Sequence, residues 1–181
     1  LVVIDSRRRR AAKPIPLDCA DPRALAISAD ERKAWIGGAS GAVAVVDLYL
    51  LKRQTHSIAL GAALESIALS DDEKSLYVTP GNAPLLWVVD AVAGKLRRQV
   101  GAAGTPARPA LSAGPKMLVT LRDSGELAEW STHLHLERRR VNTGAGCEAL
   151  AMDPERSTVL VALPEAREVR QFSYPDLEAV R

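Results

Sequence analysis

The chain has no apolar run approaching the ~18 residues that a membrane-spanning helix needs. Its stretch GAVAVVDLYLL is interrupted by Asp47. Cysteine is scarce. Cys19 and Cys147 are too few for a disulfide framework and lack metal-ligand spacing, so both read as plain thiols behaving as small hydrophobes. Charge of one sign is also missing. The 24 basic and 22 acidic residues leave a formal charge of +2, which gives no electrostatic reason to expect nucleic acid or an anionic membrane. No long stretch has a period near 3.6, so helix is expected to be scarce. What remains is ordinary for a globular chain able to bury a core: 181 residues, 47% apolar and 25% charged.

Against this plain background one pattern recurs. An apolar pair closing on a short polar residue occurs as VVID at Asp5, AVVD at Asp47 and WVVD at Asp90, then more weakly as AEWS at Ser131 and RQFS at Ser173. Its steps are 42, 43, 41 and 42 residues. A second marker, ending at Ser28, Ser70, Ser112 and Asp153, advances by 42, 42 and 41. Two markers keeping one period signal a repeat architecture.

Each unit reads as four short strands. In the unit after Leu60 they are 65–70, 75–79, 84–90 and 95–100, separated by DDEK, PGNA and AVAG. The separators are turn formers, because Gly permits positive φ, Pro presets φ and Asp or Asn bonds back to local backbone. The strands carry the β-branched and aromatic residues that suit a pleated, packed surface. Four antiparallel strands in about 40 residues is a β-propeller blade. A lone blade leaves both faces bare, which gives the repeat its physical reason. A β-sandwich also has short, regular strands but does not require a repeated sequence. The expectation is therefore an all-β propeller with blades of about 42 residues. It places a half blade at 1–20 and full blades at 21–62, 63–104, 105–146 and 147–181. Because the first unit starts on a third strand, the reading expects a segment of a ring of about seven blades, completed by the same or another chain.

The segment LYVTP (76–80) and the neighbouring VVD anchors resemble the YVTN-repeat propellers, whose units run through a lyVtN strand and a vsviD strand. The resemblance spans the whole chain. AWIGG (34–38), MLVTL (117–121) and VLVAL (159–163) keep the strand but lose the tyrosine or asparagine. Similar propellers include sugar-lactone hydrolases, amine-dehydrogenase large subunits and a haem-binding nitrite reductase domain. None of their catalytic motifs maps onto these residues, so the resemblance implies a fold and supplies no catalytic residue, metal or cofactor.

His133 and His135 alternate, as two metal ligands on a strand would. The repeat instead places them in the turn before an outer strand, as exposed residues, with His56 at a different offset. Arg7–Arg10, Arg97, Arg98 and Arg138–Arg140 fall at outer strands, where charge discourages edge-to-edge pairing. Trp35, Tyr77, Trp87 and Trp130 read as core between blades. The first strands, RALAIS, ESIALS, RPALS and EALAMD, are expected to line the channel.

The candidate binding residues are Arg23, Glu65, Arg108 and Glu148. They stand four or five residues before their unit's second marker, so equivalence predicts that they ring one channel mouth. The expected function is a binding or scaffold module taking a protein partner or small polar ligand there. The alternative is a lactone hydrolase or dehydrogenase-subunit type of propeller. In the plainest reading, these charges only solvate the opening and pair with one another.

Overall fold

The computed structural model describes residues 1–81, 83–101, 106–111, 116–121, 124–144, 146–153 and 155–180, with backbone alone at 55–56, 106–111 and 116–117. Among them the regular structure is all β, in antiparallel sheets. Strands β1 (Ile4–Asp5) and β2 (Arg10–Ala11) form a short pair. A four-stranded sheet follows: β3 (Pro22–Ile27), β4 (Lys33–Gly38), β5 (Ala42–Asp47) and β6 (Lys52–Ala59). The next is β7 (Leu64–Leu69), β8 (Ser75–Pro80), β9 (Leu85–Asp90) and β10 (Lys95–Gly101). These bounds lie within one residue of the expected strands. A third sheet holds β11 (Pro106–Leu111), β12 (Lys116–Leu121), β13 (Glu126–Ser131) and β14 (Leu136–Asn142). The last holds β15 (Ala149–Asp153), β16 (Thr158–Leu163) and β17 (Glu168–Ser173). A fourth strand is represented there by an isolated bridge from Phe172 to Ala179. Within each sheet, neighbours in sequence are neighbours in space.

The repeated markers are turn locks. Ser28 Oγ accepts from Lys33 N–H at 2.9 Å and donates to Asp30 Oδ1 at 2.7 Å; Ser70 does the same with Ser75 and Asp72, also at 2.9 and 2.7 Å. These serine hydroxyls and the following backbone N–H groups hold the Asp30 and Asp72 carboxyls below their ordinary pKa. At the other marker, Asp90 accepts from the N–H groups of Val92 and Ala93 at 2.8 and 2.7 Å, and Asp47 accepts from Leu50 at 2.7 Å. A short side chain that bonds its own turn is what these tight reversals need. The backbone repeats too. Arg9, Leu51, Gly94 and His135 all take positive φ, between 51° and 65°, one residue before the outer strand.

Strand alternation divides each sheet between two neighbours. Trp35, Val43 and Val45 point forward and pack against Leu64, Ile67, Leu76, Trp87 and Val89 of the following sheet. One unit on, Tyr77, Leu86 and Val88 pack forward against Val119, Leu121, Ala128 and Trp130. Leu118 and Leu127 then meet Val159, Val161, Leu163 and Phe172. The core is thus a series of layers between successive sheets, with the four aromatics between sheets as expected. Close approach is built in at Gly37, where a Cβ would stand 2.8 Å from Ile67 Cδ1 and 2.9 Å from Leu64 Cδ1 of the next sheet. Strand β3 lies beside β7, β7 beside β11 and β11 beside β15, so the first strands are the inner ones. Arg7–Arg10, Arg97, Arg98, Arg138 and Arg140 are exposed. Arg139 is partly buried and pairs with Glu129.

One histidine departs from expectation. His133 is exposed, whereas His135 is half-buried, its ring 6.3 Å from that of Tyr77 at 54°. Its backbone takes the left-handed turn (φ 54°) shared with Arg9 and Leu51, and its ring lies beside Tyr77 of the neighbouring sheet. Burial, then the charges of Arg98, Arg97 and His133, lowers its pKa. A depressed folded-state pKa gives stability that is complete above the unfolded value near 6.5 and lost as pH falls through the folded one. Urea midpoints should therefore drop between pH 7 and 5 more steeply in the parent than in His135→Asn, and equal slopes would contradict this.

Candidate functional site

The first strands begin irregularly, and three candidate residues sit at the irregularity. On β3 the register jumps from Pro22↔Gly38 to Ala24↔Gly37, leaving Arg23 as the extra residue. On β7 it jumps from Leu64↔Pro80 to Ser66↔Thr79, leaving Glu65 extra. On β11 the jump lies between Pro106 and Pro109 and includes Arg108. A β-bulge of this kind re-aims a side chain out of the strand alternation. Glu148 differs, because it precedes a regular strand and its N–H donates to Ala162 O at 3.2 Å.

Arg23 and Glu65 come together. The Arg23 guanidinium grips Asp21 Oδ2 through Nε at 2.9 Å and Nη2 at 2.8 Å, while Nη1 lies 3.7 Å from Glu65 Oε2. The pair therefore links neighbouring inner strands at their N-terminal ends. Beneath it the buried hydroxyls of Ser66 and Thr79 share a 2.7 Å hydrogen bond. Gly81 also leaves room, since a Cβ there would stand 3.6 Å from Glu65 Oε2. Glu148 is exposed and lines a recess of about 460 Å³ with Arg167 and Glu168. The Arg108 side chain lies outside the described residues. The sequence reading missed Asp21, although an acid two residues before an arginine on a strand edge signals such a grip.

These groups can hold a polar or charged ligand by ion pairing and hydrogen bonding. Among the described residues no group of three or more His, Cys, Asp or Glu is arranged for a metal ion, and no helix is long and apolar enough to cross a membrane. Cys19 and Cys147 are buried and unbonded to each other. Cys147 Sγ lies 3.1 Å from Thr143 Oγ1, and burial raises its pKa.

No protein-family model matches the chain, and no curated protein matches it. The YVTN resemblance therefore rests on the repeat residues alone. Solved structures do match. Kuenenia stuttgartiensis hydrazine synthase gives a TM-score of 0.82 at 20% identity, over 91% of this chain and 49% of that one. The dihydro-heme d1 dehydrogenase NirN, in complex with DHE, gives 0.79 at 20%, over 99% and 40%. U3-55K gives 0.76 at 14%, over 88% and 51%. The chain thus spans about half, or less, of each of these three chains. At such identities the likeness is one of fold: the described residues form an all-β, antiparallel, propeller-like structure.

Proposed function

We propose that this chain is a propeller binding module, each unit of about 42 residues being one blade, which takes a small polar ligand or a protein loop at the inner-strand N-termini. Arg23, Glu65, Arg108 and Glu148 are its contact residues. The observation that supports this most is the bulge-borne Arg23–Glu65 pair, 3.7 Å apart on adjacent inner strands. Bulges tend to occur where a side chain must be aimed, and the Arg23 guanidinium, half-exposed beside Glu65, offers a charge to a ligand at that edge.

A second reading is an enzyme-type propeller. The names of two similar structures, a synthase and a dehydrogenase, support it. Thermal-shift titration with sugar lactones, divalent cations and small dicarboxylates tests both readings. Under the binding-module reading, stabilisation by any of these is reduced in Glu65→Lys and Glu148→Lys and kept in Arg97→Ala on the outer strand. Turnover of a lactone would favour the enzyme. The Glu148→Lys variant should unfold within about 1 kcal/mol of the parent, because Glu148 is exposed. Binding indifferent to both Lys variants would remove the proposed site.

A further inference from the structure

The repeat allows the three layers between successive sheets to be compared position by position. Trp35, Tyr77 and Leu118 are equivalent on the second strands, and so are their register partners Val45, Val88 and Glu129. In the turn of the following sheet, Gly94, His135 and Leu177 are equivalent, and all take positive φ. Where that turn meets the preceding sheet, each layer is filled differently. In the second layer the His135 imidazole lies beside the Tyr77 ring, and the Tyr77 hydroxyl donates to Thr132 O at 3.2 Å. In the third layer Leu177 is buried, and a recess of about 300 Å³ is lined by the paired charges of Glu129 and Arg139. In the first layer Gly94 has no side chain to supply. A recess of about 260 Å³ remains there, lined by the buried Trp35, Val45 and Ile58 and by the exposed Lys33, Gln54 and Ser57. The Trp35 indole N–H is buried without a hydrogen-bond partner. Trp87 and Trp130 leave theirs unpaired too, but neither borders this recess.

We infer that this recess between the first and second four-stranded sheets is a binding site for a small monocyclic aromatic carboxylate. The ring follows from the repeat. The molecule itself sets a flat ring at the equivalent point of the second layer, and the buried lining of the first is apolar. The carboxylate follows from charge. Lys33 is the one charged residue lining the recess. The carboxylates near it are engaged elsewhere: Asp47, its register partner, accepts from Leu50 N–H, and Asp30 accepts from the Ser28 hydroxyl and Arg32 N–H. Strand alternation puts Lys33 and Trp35 on one face of β4 about 7 Å apart, which suits a ring and its carboxylate. A concave, mostly apolar site with a few placed polar groups is the usual way to hold a small molecule. The other layers do not compete. One holds its own ring, and the charged lining of the third disfavours an apolar one, because covering those groups costs their hydration. The site shares no residue with the inner-strand mouth and does not depend on it.

Benzoate titrated into the isotope-labelled chain tests this through the indole N–H resonances, with that of Trp35 assigned by Trp35→Phe. The Trp35 resonance should move most and that of Trp130 should stay in place. Gly94→His copies the second layer, and a Cβ there meets Ile58 Cγ1 at an ordinary 3.4 Å, so the imidazole should fill the recess and abolish the shift. Lys33→Gln should weaken benzoate by about fivefold and leave benzyl alcohol, the neutral ring, unchanged. Acetate, the charge without the ring, should not move the Trp35 resonance. His135→Gly empties the equivalent place over Tyr77 and should add one benzoate equivalent. Circular dichroism checks that each variant folds, and Lys33→Gln and His135→Gly carry the test if Gly94→His does not. Absence of a shift at Trp35, a shift that persists in folded Gly94→His, or benzyl alcohol binding as tightly as benzoate would overturn the assignment. An unchanged stoichiometry in His135→Gly would overturn it too, because the choice of a ring rests on that equivalence.

Discussion

Tyr77→Ala is expected to lower the unfolding free energy by about 4 kcal/mol, the range for deleting a fully buried aromatic. Tyr77 fills the layer between the second and third four-stranded sheets with Leu86, Val88, Val119, Leu121, Ala128 and Trp130. Its hydroxyl donates to Thr132 O at 3.2 Å and its ring lies beside His135. Tyr77→Phe keeps the ring and loses one hydrogen bond, so its effect is about 1 kcal/mol. The two variants also diverge in alkali. Burial raises the Tyr77 pKa to about 12, with smaller contributions from the Asp72 and Asp71 charges and an opposing one from the Thr132 hydrogen bond. A folded pKa above the unfolded value near 10 means the folded state holds the proton more tightly. That stability is intact below pH 10 and lost as pH rises toward 12. Urea unfolding followed by tryptophan fluorescence at pH 8 and pH 11 should show the parent losing more than Tyr77→Phe. A Tyr77→Ala effect under about 1.5 kcal/mol would mean that the layer collapses around the gap.

Arg139→Ala is expected to destabilise by about 3 kcal/mol, far more than an exposed arginine, because it leaves a buried carboxylate without its guanidinium. Glu129 occupies the register position of Val45 and Val88, facing the next sheet from inside the molecule. Arg139 reaches it through Nε at 3.1 Å and Nη2 at 2.9 Å, and also donates from Nη1 to Asp176 O at 3.2 Å. Glu129→Val restores the valine of the two preceding units and leaves Arg139 half-exposed to water, so its effect should be under about 1 kcal/mol. The double variant should then be more stable than Arg139→Ala, with a coupling of about 2 kcal/mol by denaturant titration. Arg139→Ala within 1 kcal/mol of the parent would show that water or other groups solvate Glu129 adequately.

How much was legible beforehand follows from how local each feature is. Asp47 and Asp90 could be read because each bonds N–H groups two or three residues ahead. Ser28 and Ser70 likewise lock turns within five residues. Arg23 and Glu65 were picked from equivalence alone, and the structure adds that each is the extra residue of a bulge. Bulges do not show in hydrophobic periodicity, since one inserted residue in a six-residue strand barely disturbs the pattern. His135 was misjudged as exposed for a related reason. A turn residue tells nothing of the ring it folds over when that ring, Tyr77, lies 58 positions away (135 − 77) in another sheet.

By itself, then, the sequence determined the repeat, the strands and the turn chemistry. All of these follow from interactions spanning a few residues, repeated at one period. The tertiary structure alone decided which charges meet, as with Arg23 and Glu65, and which carboxylate is buried, as with Glu129. Those outcomes depend on how successive sheets stack, and stacking joins residues about 40 or more positions apart whose separation carries no local signature.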